Sequence, residues 1–211
     1  MKQLFRFTLY LAVALAFSSA RAGSYEDFFR AVNVDDLGTV QQLLARGFDP
    51  NSPNEKGQVA LFLAAREGSE KVAAALLAHP GIAIDRANAT DETPLMMAAL
   101  RGQLMLAERL LERGASLNRP GWTPLHYAAT GPEPKVVAML LDRGADVEAK
   151  SPNRTTPLMM AARYGNEESV FVLLNRGAKL QSRNDAGLNA SDFAKLAGRE
   201  KLTERLLAAP R

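Results

Sequence analysis

Two histidines and no cysteine limit the chemistry that this 211-residue sequence can offer. A metal site needs His, Cys, Asp or Glu ligands at matched spacings. His79 stands before Pro80 in a stretch that reads as a loop and has no spaced partner, while His126 closes the run Thr123-Pro-Leu-His126. A general base or an activated nucleophile needs a second group within hydrogen-bond reach. The chain has no glycine-rich phosphate loop, no nucleophile elbow and no paired-carboxylate signature. The sequence therefore supplies no catalytic residue, no metal ligand set and no cofactor site, and an enzyme is not expected. Three tripeptides, Asn88-Ala-Thr90, Asn153-Arg-Thr155 and Asn189-Ala-Ser191, match the N-glycosylation pattern. They fit equally the preference of asparagine for turns and helix caps.

Hydrophobic residues make up 47% of the chain and charged residues 23%, as in an ordinary folded soluble protein. There are 26 Lys+Arg against 23 Asp+Glu; three of the cations, Lys2, Arg6 and Arg21, lie in the first 22 residues, which hold no acid, so the remainder carries 23 of each sign. A neutral body has no long-range field to draw phosphates or anionic lipids, so neither nucleic-acid nor membrane-surface binding is expected.

Residues 1–22 read as a secretory signal peptide. Lys2 and Arg6 give a positive start, Thr8 to Phe17 (TLYLAVALAF) an apolar run of ten, and Ala20-Arg21-Ala22 a small-x-small pattern for cleavage after Ala22. Ten apolar residues are too few to span a ~30 Å hydrocarbon core. The mature chain, 23–211, is expected in the periplasm or outside the cell, with no membrane insertion. If the segment is retained, a cytoplasmic protein results.

That mature chain is periodic. Val59-Ala-Leu-Phe-Leu-Ala-Ala-Arg-Glu-Gly68 aligns with Thr93-Pro-Leu-Met-Met-Ala-Ala-Leu-Arg-Gly102, with Thr123-Pro-Leu-His-Tyr-Ala-Ala129 and with Thr156-Pro-Leu-Met-Met-Ala-Ala-Arg-Tyr-Gly165. Degenerate copies begin near Glu26 and at Asn189, giving starts at 26, 59, 93, 123, 156 and 189. Thr93, Thr123 and Thr156 suit helix caps, and the prolines after them suit the first helical position. Paired alanines make a thin first helix that neighbours can approach closely. Gly68, Gly102 and Gly165 suit the turn into a second helix, whose Leu-Leu pair (Leu76-Leu77, Leu110-Leu111, Leu140-Leu141, Leu173-Leu174) is for burial. Gly114, Gly144 and Gly177 match left-handed caps that end it. A single unit cannot bury its apolar faces, so stability must come from stacking.

This pattern resembles the ankyrin repeat, and the resemblance covers Tyr25 to about Ala209. It implies an all-α solenoid of about six helix-turn-helix repeats joined by β-hairpin-like loops, the first and last being caps. It implies a structural role for His126, whose equivalents are Phe62, Met96 and Met159. It also implies that the protein is a monomer that binds another protein, as inhibitor, immunity-type protein or assembly factor, or more loosely as an envelope scaffold. Recognition in this family falls on the concave face. Carried over position by position, that selects Gln58, Glu92, Trp122 and Thr155 before the first helices, Arg66, Glu67, Leu100, Arg101, Arg163 and Tyr164 at their ends, and Glu55, Lys56, Asn153 and Arg154 at the hairpin tips. Trp122 with Arg101, Tyr127 and Tyr164 nearby is the expected hot spot, since Trp, Tyr and Arg dominate such clusters; the alternative is that Trp122 packs on its own hairpin. Two departures stand out: the step from 93 to 123 is three residues short within Ser116 to Trp122, and Gly131-Pro-Glu-Pro134 replaces the usual inter-helix turn. They either shape a binding surface or are neutral drift.

Overall fold

The computed structural model describes residues 23–209; the expected signal peptide and its cleavage site lie outside them. Six helix pairs follow one another. A first helix, α1, runs over 23–33, so the first repeat is helical three residues before Glu26. It is paired with α2 (Leu37–Ala45); then come α3 (Ala60–Glu67) with α4 (Glu70–Ala78), α5 (Pro94–Leu100) with α6 (Leu104–Glu112), α7 (Pro124–Thr130) with α8 (Pro134–Asp142), α9 (Pro157–Tyr164) with α10 (Glu167–Asn175), and α11 (Ala190–Leu196) with α12 (Glu200–Ala208).

The first helices α5, α7 and α9 begin at the threonines that the sequence offers as caps, while α3 follows Val59, which makes no side-chain cap bond. The Thr93 and Thr156 side chains accept from the N–H groups of Met96 and Met159. Each second helix from α6 to α10 ends in a left-handed glycine, Gly114, Gly144 or Gly177, at φ 89–90°. The following N–H then closes onto a buried leucine carbonyl: Ala115 to Leu110, Ala145 to Leu140, and Ala178 to Leu173, at 2.9–3.0 Å. Gly165 departs from the expectation. Gly68 and Gly102 have φ of 81° and 70°, but Gly165 is extended at φ −82° and ψ 178°. Glycine is required there by proximity, because a Cβ would stand 2.0 Å from the Ala129 carbonyl oxygen.

First helices pack on first helices, α3 on α5 on α7 on α9 on α11, and second helices on second helices. The alanine pairs at 64–65, 98–99, 128–129 and 161–162 are fully buried between layers, as are Leu76, Leu110, Leu140 and Leu173. Small residues let the first-helix row close up more tightly than the leucine-bearing row, so the stack bends with its first helices inside. The N-terminal repeat is held by rings instead: Phe28 lies 4.2 Å from Phe48 and 5.5 Å from Phe29, centroid to centroid.

The loops between repeats are short turns. In four of them a pair of bonds closes the tip, Asn54 N–H to Gln58 O, Asn88 to Glu92, Ser151 to Thr155 and Asn184 to Leu188, at 2.8–3.0 Å. Among the described residues the shortened 116–122 loop makes no such pair. One isolated antiparallel bridge, Pro53 with Val59, is the only β pairing among the described residues. Acceptor side chains rivet each loop to the next, Asn51 to Ala83 N–H, Asp85 to Ser116, Asn118 to Asp146 and Glu148 to Lys179, at 2.8–3.1 Å.

Candidate functional site

The missing residues before Trp122 leave a gap on the inner face, and a cavity of about 260 Å³ occupies it, lined by Leu100, Trp122, His126, Tyr127, Thr130 and Met160. Leu100 ends α5; His126, Tyr127 and Thr130 come from α7, and Met160 from α9. The half-buried Trp122 indole meets the His126 ring edge-on, with centroids 5.2 Å apart and planes at 77°.

The polar side-chain atoms of His126, Tyr127 and Thr130 in this wall are already engaged. His126 is 1% exposed. Its Nδ1 accepts from the Thr123 N–H at 3.2 Å, so Nε2 carries the proton and donates to the Thr155 carbonyl at 2.9 Å. Burial pushes its pKa below the ordinary imidazole value, against the opposing pull of backbone carbonyls, and holds the ring neutral. Tyr127 Oη donates to Glu92 Oε1 at 3.1 Å, and burial, then the Glu92 charge, raises its pKa well above the usual phenol range. Glu92 Oε2 accepts from Asn88 Nδ2 and Thr90 Oγ1 at 2.8 and 2.9 Å. Thr130 Oγ1 donates back to the His126 carbonyl at 2.9 Å. A concavity walled by Leu100, Met160 and ring faces, with the polar atoms of His126, Tyr127 and Thr130 spoken for, takes an apolar group.

The expected recognition residues do not gather at one place. Trp122 and Glu92 belong to this cavity and its rim. Arg163 and Tyr164 stand beyond Met160, with the guanidinium 5.0 Å from the Tyr164 ring and 5.8 Å from that of Phe193; Tyr164 is 56% exposed. Gln58 and Arg66 lie far along the stack, joined at 3.2 Å, and line with Tyr25, Phe29 and Lys56 a separate cavity of about 420 Å³. Two expectations are corrected. Thr155 is buried at 2% exposure, its N–H on Ser151 Oγ and its carbonyl under His126, so it is a strut of the scaffold. Arg101 does not join Trp122; it lines a cavity of about 590 Å³ between α4 and α6 with Lys71, Gln103 and Arg109. Counting from each cap, Arg66, Leu100, Thr130 and Arg163 share one position, and Arg101 shares the next with Glu67 and Tyr164. Leu100, one of the expected recognition residues, does line the cavity, and Thr130, its uncharged equivalent in the next repeat, is a residue the sequence reading missed.

Among the described residues no group of three His, Cys, Asp or Glu is placed to hold a metal, and no helix is long and apolar enough to cross a membrane. Asn88 and Asn189 of the glycosylation tripeptides hold a turn and a helix cap, respectively.

The family model for ankyrin repeats matches residues 28–120 and 116–184. This chain belongs to the ankyrin-repeat family, whose stacked helix pairs are protein–protein interaction modules. Among curated proteins it is similar to ankyrin repeat and SAM domain-containing protein 6 of Rattus norvegicus, 32% identical over 158 residues, covering 73% of this chain and 17% of that protein. A transient receptor potential cation channel subfamily A member 1 homolog of Caenorhabditis elegans is 31% identical over 171 residues, 79% of this chain and 13% of that one. The chain spans between 4% and 19% of the length of such relatives. Among solved structures it is similar to one chain of a complex between a predatory endopeptidase from Bdellovibrio bacteriovorus and an immunity protein. The TM-score is 0.75 at 26% identity, over 87% of this chain and 98% of that chain.

Proposed function

We propose that this chain is an exported, monomeric binding protein of the immunity or inhibitor type, which seats one partner protein on its inner face at the Trp122 cavity and catalyses nothing. The observation that carries this reading is the cavity itself: an apolar, partly open hollow bounded by the one tryptophan of the chain, on the row of helices that faces inward. Large aromatic side chains beside a hollow are the usual anchors of an interface. Support for the immunity-type role comes from the likeness to a chain in an endopeptidase–immunity protein complex. Support for export comes from residues 1–22.

A photo-crosslinking side chain placed at Leu100 or Thr130 in cells tests this. The same group at Met105, exposed on the outer row, is the control. One protein should be captured from the inner positions and lost on Trp122→Ala, and if it is an enzyme its activity should fall as the purified chain reaches equimolar amounts. Equal capture from both faces would leave only a loose scaffold. A purified protein that begins at Met1 rather than Gly23 would overturn export.

A further inference from the structure

We propose that the partner segment taken by the Trp122 cavity is acidic: an apolar side chain enters between Leu100, Tyr127 and Met160, and an Asp or Glu close to it in sequence pairs with Arg154. This rests on the reading that the cavity is the docking point. What sets the chemistry of the segment is the balance of charge on the rim.

Two acids of the rim, Asp91 and Glu92, are already held. Asp91 pairs with Arg119 at 2.6 Å, and both Glu92 oxygens accept hydrogen bonds. Its cations are not. Arg154 and Lys150 are exposed, and neither is in an ion pair. Asp185, whose N–H donates to the Asn153 carbonyl at 3.1 Å, makes no ion pair with them. On the far side of Met160, Arg163 faces two rings rather than a carboxylate.

Arg154 is beside the cavity. It sits on the turn 151–155, where Pro152 lies 3.9 Å from the place a Cβ would take on Gly121, the neighbour of Trp122. The next residue, Thr155, accepts the hydrogen bond of His126 from the cavity wall. Arg154 also holds φ 60°, a left-handed conformation that Asp91 shares at φ 62° and that glycine supplies at the equivalent tips Gly57 and Gly187. A side chain there costs strain that glycine would avoid. The turn carries an exposed guanidinium next to the loop that holds Trp122, where a carboxylate can take two bonds in a fork. A basic segment would bring like charge against Arg154 and Lys150.

A random peptide library displayed on phage, panned against the folded chain with Trp122→Ala as counter-selection, tests the proposal. Peptides held by the wild type and lost on Trp122→Ala should carry an aromatic or long aliphatic residue with Asp or Glu within a few positions. Arg154→Glu should weaken them about tenfold or more. Arg154→Gly should also weaken them while leaving the melting temperature unchanged or raised, which separates recognition from a folding defect. Selected peptides that are neutral or basic, or acidic ones indifferent to both Arg154 variants, would overturn the acidic segment and leave the cavity standing. Peptides held equally by Trp122→Ala, or none held above background, would overturn the cavity and this inference with it.

Discussion

His126 Nε2 lies 2.9 Å from the carbonyl oxygen of Thr155, in a hydrogen bond that crosses from one repeat to the next while Nδ1 accepts from the Thr123 N–H. Met96 and Met159 stand at the same position of their repeats and accept the cap N–H on sulfur at 3.4 Å, but they have no donor for the following loop. Replacing His126 by Met keeps one bond and removes one of the two that the Thr155 carbonyl accepts, the other coming from the Ser151 N–H, a loss of about 0.5–1.5 kcal/mol. Urea unfolding should show it. The pH dependence has a definite sign. The folded-state pKa is depressed, so the unfolded chain takes the proton first as pH falls through about 6.5. The contribution is whole above that value and shrinks below it, levelling off once the folded ring also titrates. Between pH 7 and 5 the wild type should lose stability that the His126→Met variant does not.

Gly165 and Gly144 predict opposite reasons for the same kind of loss. Gly144 is left-handed at φ 90° in open space, so Gly144→Ala costs only backbone strain, about 1–2 kcal/mol. Gly165 has an ordinary φ, but a methyl would meet the Ala129 oxygen at 2.0 Å and the Ala161 Cα at 3.0 Å, both of them backbone. The fourth and fifth layers must part, and Gly165→Ala should cost about 3 kcal/mol or more. Equal midpoints in denaturant for the two variants would contradict the close approach.

Arg199 closes the stack. Its Nη1 donates to the carbonyls of Ala161, Ala162 and Gly165 at 2.9–3.0 Å, satisfying the C-terminus of α9 from the last repeat. Arg199→Ala should loosen α11 and α12 first, because a repeat stack frays from its ends. Amide exchange in α11 should speed up markedly while that of α5 and α7 stays at its wild-type rate.

Period, caps and buried alanines were legible because each is a local property repeated down the chain, and one repeat vouches for another. Gly165 was not, since its requirement comes from an oxygen in the preceding layer rather than from its own dihedral angles. Thr155 looked exposed by analogy with Gln58, Glu92 and Trp122. It is buried because Ser151 and His126, two neighbours particular to this loop, hold it in. The recognition set was read as a line of surface positions. Leu100 was in that set, but Thr130 and Met160 were not, because a hollow is a relation between layers that single positions do not advertise.

Trp122 is the one tryptophan of the chain, so its fluorescence reports the cavity directly. Half-buried against His126, it should emit at a wavelength between that of water and that of a protein core. Seating an apolar side chain beside it removes water from the exposed part of the indole, so partner or selected peptide should shift the emission to shorter wavelength and saturate at the binding stoichiometry. Met160→Lys places a charge in the cavity wall, where an apolar ligand leaves it unpaired. That variant should keep its helical signal, because Met160 is only partly buried, yet lose at least about tenfold in affinity, the equivalent of ~1.4 kcal/mol. A saturating blue shift in Met160→Lys at unchanged affinity would mean that the indole moves in response to binding elsewhere.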